Sequence, residues 1–198
     1  MKHLIIAAMT ALFALAAVNS AKAQSTEEPV VDVNSTFVIS VKQGNTDMGV
    51  IELKLWPDVA PKHAEFFAKR VAEGYYDGSA FHRVIPNFMI QGGDPNSKDK
   101  PRETWGQGGY PEKVDAEFTD AKHDRGVLSA ARTNDPNSFG GQFFICVANA
   151  NFLDGQYSAF GEVVSGMEVV DQVVNAPRDA NDNPLEKIEM TITVKDSE

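Results

Sequence analysis

Cysteine is almost missing from this chain: Cys146 is the only one in 198 residues. No internal disulfide can form, so packing and hydrogen bonds must hold the fold. Cys146 lies in the apolar run 143–147, a setting for an inert buried thiol rather than a nucleophile. Positive charge is also scarce, with 18 Lys and Arg against 28 Asp and Glu and a net charge of −10. That balance disfavours nucleic acid and anionic membrane surfaces as partners. The four histidines, His3, His63, His82 and His123, are scattered without metal-ligand spacing, so no metal is expected. There is no Gly-x-Ser-x-Gly elbow and no phosphate-binding loop. Gln91-Gly92-Gly93-Asp94 has neither the lysine nor the helix context of a phosphate cradle, and no cofactor is expected.

Extended apolar runs are rare too. Residues 4–18 form one, broken only by Thr10, and it is too short to span a bilayer comfortably. It follows Lys2 and His3 and precedes Ala21-Lys22-Ala23, an A-x-A cleavage site. Residues 1–23 therefore read as a secretory signal peptide, and export to the periplasm, or full secretion, is expected. The residue directly after the cleavage site is Gln24 and not cysteine, so no lipoprotein anchor is expected there. Cleavage removes Lys2, Lys22 and no acidic residue, leaving 16 basic and 28 acidic side chains and a net charge of −12. The mature protein is expected to be a monomer without membrane or nucleic-acid partners.

The remaining residues are enough for one domain with a sizeable core. Residues 24–34 are polar, acidic and expected to form a flexible tail, and residues 35–198 the domain. Apolar periodicity and turn residues predict strands at 36–42, 49–55, 81–85, 88–91, 126–131, 142–148, 158–164 and 187–195. A helix is predicted from Pro61 to Gly74, with Ala64, Phe67, Ala68 and Val71 as its buried stripe. A second is predicted at 167–175, and residues 95–125 read as a polar loop. Eight short strands and two isolated helices imply a mainly β sandwich or barrel.

Residues 81–94, FHRVIPNFMIQGGD, carry the most information. Two apolar runs flank Pro86-Asn87, which suits the central positions of a tight turn. Alternation puts Met89 and Gln91 on one face of the second strand. Arg83 sits among Phe81, Val84 and Ile85, where an unpaired buried guanidinium would be very costly. It must form a structural ion pair or line a cleft that receives an acceptor. His82 is expected on the opposite face as a satisfied structural histidine.

This segment resembles the signature of the cyclophilin-type peptidyl-prolyl cis-trans isomerases. GVLSAARTNDPNS at 126–138 and GQFFICVANANFLDGQYSAFGEVVSGMEVVD at 141–171 match the same family, in its order. The resemblance implies a closed eight-stranded antiparallel β-barrel capped by two α-helices. It implies rotation of X–Pro bonds in proline-containing polypeptides, without cofactor or covalent chemistry. Arg83 matches the catalytic donor, and Gln91 and Gln142 match the polar groups that hold the substrate backbone and orient the arginine. Phe88, Met89, Phe144 and Leu153 match the proline pocket. Phe152 and Tyr157 stand where many eukaryotic members have tryptophan and histidine, which puts cyclosporin sensitivity in doubt. Ala131 and Arg132, followed by Thr133, replace an Ala-Asn-Ala and resemble bacterial members. Two other readings stay open: a proline-peptide binding module or holdase with little turnover, and a hydrolase using Cys146 or a carboxylate. The retained Arg83 disfavours the first, and the absence of a base–nucleophile pair disfavours the second.

Overall fold

The computed structural model describes residues 31–195. The expected signal peptide, residues 1–23, and residues 24–30 of the expected tail lie outside the described residues. Eight strands run β1 (Thr36–Gln43), β2 (Thr46–Leu55), β3 (Ser79–Ile85), β4 (Met89–Asp94), β5 (Val127–Ala130), β6 (Phe143–Cys146), β7 (Ala159–Ser165) and β8 (Ile188–Val194). They close into an antiparallel barrel in the order β1-β2-β7-β5-β6-β4-β3-β8. β1 and β2 show why the sequence pattern works: Phe37, Ile39, Val41, Ile51, Leu53 and Leu55 alternate inward. Of the expected tail, Val31 and Val33 pack against the core, and Asn34 accepts a hydrogen bond from Lys54 Nζ (2.8 Å).

Helix α1 (Pro61–Ala72) begins at its proline and is followed by Gly74, whose φ of +66° suits glycine. It packs on β7 and β8 and drives Phe67 edge-on against Phe37 and Phe143 inside the barrel. Its buried surface is wider than the expected stripe and includes His63, Phe66 and Arg70. The Arg70 guanidinium lies 5.0 Å from the Phe66 ring centroid and 3.8 Å from that of Tyr110, and it pairs with Glu73 (3.0 Å). Aromatic faces and one carboxylate thus offset the cost of burying it. α3 (Met167–Val174) packs on β2, β3 and β4 through its valines.

The stretch expected to be loop carries a short helix, α2 (Asn96–Asp99), and a 3₁₀ turn at Arg102–Thr104, so the described residues hold three α-helices rather than the expected two. Remote polar contacts hold this stretch, and periodicity cannot show them. The Arg102 guanidinium donates to the carbonyls of Asn183, Pro184 and Leu185. Glu117 accepts the backbone N–H groups of Lys62 (3.2 Å) and His63 (3.0 Å), filling the N-terminus of α1 that Ala60 leaves uncapped.

Pro86-Asn87 forms the expected turn. Phe88 N donates to Ile85 O (3.1 Å), and Asn87 has a φ of +61°. The apolar neighbours of Arg83 suggest burial, and this alone needs correction. The β3–β4 ladder pairs Phe81 with Gly92 and Arg83 with Gln91, so His82 is the extra residue of a β-bulge. The bulge breaks the alternation. Phe81 and Val84 enter the core while Arg83, two positions after Phe81, faces out and is exposed.

His63, His82 and His123 are buried, and burial pushes all three below their ordinary value of 6.5, against the opposing pull of Glu117, Asp94 and Asp154 respectively. The unfolded chain takes up protons there that the folded chain refuses. Stability is therefore complete above about pH 6.5 and falls as pH drops through the lowered folded values. The urea midpoint is expected to be lower at about pH 5.5 than at about pH 7.5. An unchanged or higher midpoint would show that these imidazoles are not held neutral.

Candidate active site

β4 and β6 are buried on both faces, and their alternate residues feed two separate apolar clusters. Ile90, Phe143 and Ile145 join the barrel core. Met89, Phe144 and Cys146 point outward and join Ala150 and Leu153 in a second cluster, with Phe88, Ala131 and Tyr157 against it. Register adds a transverse row on this outer face. Arg83 pairs with Gln91, Gln91 with Phe144, and Phe144 with Ser129 across four neighbouring strands.

The second cluster opens into a groove of about 380 Å³. Its lining comprises Arg83, Phe88, Met89, Gln91, Ala131, Arg132, Phe144, Phe152, Leu153 and Tyr157, which are the expected site residues apart from Gln142. Met89 is 1% exposed, Phe144 5% and Leu153 6%, so these form the floor, whereas Phe152 is 65% exposed and stands at the rim. Phe152 lies tilted against Phe88 (5.3 Å between centroids), and Tyr157 meets Phe144 edge-on (5.8 Å). The Arg132 guanidinium stacks 4.4 Å from the Tyr157 centroid and donates to the carbonyls of Gln156 and Thr133.

Gln142 joins the site through a chain of side chains. Arg83 Nη1 donates to Gln91 Oε1, a long contact at 3.5 Å, and Gln91 Nε2 donates to Gln142 Oε1 at 3.0 Å. Gln142 Nε2 donates in turn to the carbonyls of Gly106 (3.1 Å) and Gly108 (2.8 Å). The buried Asp94 fixes those two glycines, accepting their backbone N–H groups and that of Asn96. Gly108 must be glycine here, because a Cβ would come within 2.2 Å of Asp94 Oδ1. Arg83 makes no ion pair among the described residues, so its guanidinium has one weak partner and donors to spare.

Sequence reasoning missed the support behind Phe144. The His123 ring lies nearly parallel to that of Phe144, with centroids 6.3 Å apart. His123 Nδ1 meets Asp154 Oδ1 at 3.2 Å and Nε2 meets Ser129 Oγ at 3.0 Å. The His123 backbone N–H, and then its ring, hold the Asp154 carboxyl well below the usual carboxylate range. This Asp-His-Ser order has no accessible nucleophile. Ser129 is fully buried and donates to Ser158 O. Burial pushes the Cys146 thiol up to about 12, with Asp124 and Asp154 adding to it. Nothing here supports hydrolysis. His82 also departs from expectation: both its ring nitrogens are buried without a hydrogen bond of good geometry among the described residues, although the Ala80 main chain and the Gln142 side chain lie near enough to favour its proton.

The family model for cyclophilin-type peptidyl-prolyl cis-trans isomerases matches residues 38–194. The chain belongs to this family. A probable peptidyl-prolyl cis-trans isomerase of Brucella suis is 41% identical over 170 residues, covering 81% of this chain and 84% of that protein. A peptidyl-prolyl cis-trans isomerase of Arabidopsis thaliana is 42% identical over 149 residues, covering 74% and 89%. The crystal structure of a Cryptosporidium parvum cyclophilin superposes with a TM-score of 0.73 at 30% identity, covering 83% of this chain and 99% of that one. A second structure of that protein, in the presence of the dipeptide Ala-Pro, gives 0.72 at 31% identity, covering 82% and 99%.

In this cyclophilin the floor of the groove can be tested by Phe144→Ala. Truncating a fully enclosed phenylalanine costs about 3–5 kcal/mol, but Phe144 opens onto a groove that water can refill, so the loss should sit at or below about 3 kcal/mol. Turnover of proline peptides should fall about tenfold or more. Urea melts and peptide kinetics on one preparation check both. A large stability loss with normal activity per folded molecule would make Phe144 core rather than floor.

Proposed function

We propose that this chain rotates X–Pro bonds in exported polypeptides, with Arg83 as the hydrogen-bond donor and the apolar groove as the seat of the proline ring. The barrier to rotation is ~18–20 kcal/mol and comes from the double-bond character of the amide. Uncatalysed exchange takes roughly tens to hundreds of seconds. No bond is broken, so no nucleophile, metal or base is required. In the twisted amide the proline nitrogen is pyramidal and carries a lone pair. A donor aimed at that nitrogen binds the twisted state better than either planar isomer.

The observation that carries this reading is the setting of Arg83. Its guanidinium stands at the edge of an apolar groove, unpaired with any described carboxylate and tethered only by the Gln91–Gln142 chain. Exposed as it is, the guanidinium needs no partner for stability; what marks it is its place beside the apolar floor, with a glutamine chain and not a carboxylate behind it. In this reading Phe88, Met89, Phe144 and Leu153 hold the ring, and Phe152 and Tyr157 form the rim. Gln91 orients Arg83, while Gln142, Ala131 and Arg132 meet the substrate backbone. The Ala-Pro dipeptide present with the Cryptosporidium parvum relative supports proline-containing substrates. Export rests on the apolar run 4–18 and the Ala-x-Ala that follows it. A monomer fits the surface, where the exposed large apolar side chains among the described residues are Val50, Phe118, Phe152, Val164 and Leu185, and Phe152 belongs to the site.

Arg83 is exposed, so Arg83→Ala should leave stability within about 0.5 kcal/mol. It should lower kcat/KM by a factor on the order of 10²–10³, the usual cost of removing one preorganised donor. A protease-coupled isomerisation assay and titration with an Ala-Pro peptide measure turnover and binding separately. More than about half the activity in the folded variant would rule out this role for Arg83.

A further inference from the structure

A second groove, of about 540 Å³, runs from the proline slot on the side of Gln142. It shares Gln91, Ala131 and Arg132 with the slot and continues over Lys113, Thr133 and Ser138. Its lining includes two cations, Arg132 and Lys113, and no aspartate or glutamate. That is the reverse of the chain as a whole, in which carboxylates outnumber cations 28 to 18.

Both cations are held in place without being neutralised. Lys113 Nζ donates to Tyr110 O at 2.6 Å. It occupies space that two glycines leave open, since a Cβ would lie 2.3 Å from Nζ at Gly140 and 3.2 Å at Gly109. Arg132 lies flat on Tyr157 and spends Nε and Nη1 on main-chain carbonyls. Neither makes an ion pair among the described residues. The carboxylates beside Lys113 in sequence, Glu112 and Asp115, line a neighbouring groove against α1 that Lys113 also borders, and they do not line the groove shared with Arg132. Asp135 Oδ1 accepts the backbone N–H of Asn137, within its own loop.

We infer that this groove selects substrates carrying an aspartate or glutamate within about three residues of the proline. The inference rests on the isomerase reading of the neighbouring slot. An extended chain advances about 3.3 Å per residue, so a chain with its proline in the slot can carry a nearby side chain over Arg132 and Lys113. A carboxylate there meets two prepositioned cations and the hydroxyls of Thr133 and Ser138. A lysine meets like charge, and an uncharged side chain gains neither effect. Because the groove is open to solvent, the preference is moderate and weakens with salt.

The test is a set of proline peptides with one common Ala-Pro core. Glutamate, glutamine or lysine is placed in turn at each of three positions before and after the proline. With the full chain at low salt, glutamate at one position or adjacent positions on one side of the proline should raise kcat/KM about three- to fivefold over glutamine, and lysine there should lower it. The ratio of glutamate to glutamine should shrink in about 0.5 M salt. It should also shrink in Lys113→Gln. The readout is a ratio within one enzyme, so a general loss of turnover does not enter it. Equal turnover of the three peptides at every position would overturn the inference, as would a preference for lysine, or a ratio untouched by both salt and Lys113→Gln. Failure to turn over any proline peptide would instead overturn the isomerase reading itself.

Discussion

A buried carboxylate organises the polar half of the site. Asp94 ends β4 and accepts three backbone N–H groups, from Asn96, Gly106 and Gly108. Without them a carboxylate so far from water would be very costly. With them it pins a loop that has no periodic apolar pattern of its own to hold it down. The carbonyls of that loop receive Gln142, Gln142 receives Gln91, and Gln91 receives Arg83. The weak tether on the guanidinium therefore traces back to a group four links away.

The apolar half depends on the barrel in a different way. β4 and β6 each serve two interiors, so the floor of the groove shares its backbone with the core. Met89 and Phe144 cannot shift without moving Ile90 and Ile145 on the other face. This is preorganisation by shared strands. The groove needs no lid to take shape, and the part of its floor carried by β4 and β6 is as stiff as the sheet. Behind Phe144, the His123–Asp154–Ser129 contacts hold a polar layer with its hydrogen bonds satisfied.

Much of this was legible in the residues. Alternation in β1, β2 and β8 and the proline-to-glycine frame of α1 marked those elements directly. The three family motifs named every side chain that lines the groove. What escaped depends on contacts between distant parts of the chain. The bulge at His82 shifts one residue out of step, and a two-residue period has no means of showing that. It is the reason Arg83 faces solvent although its neighbours read as core. Glu117 and Asp154 do their work through backbone N–H groups remote in sequence, which look the same whatever residue carries them. The helix at Asn96–Asp99 is too short to leave a pattern.

The seam of the barrel has a consequence for how the protein comes to exist. β8 lies between β1 and β3, hydrogen-bonded to both, and it is the last strand among the described residues. A chain made from its N-terminus exposes the open edges of β1 and β3 until that seven-residue strand arrives. Closure joins the two ends of the domain, a non-local pairing of the kind that slows folding. During that interval the edges are available to other chains, so this protein is at its most vulnerable to misassociation before it can act on any other polypeptide.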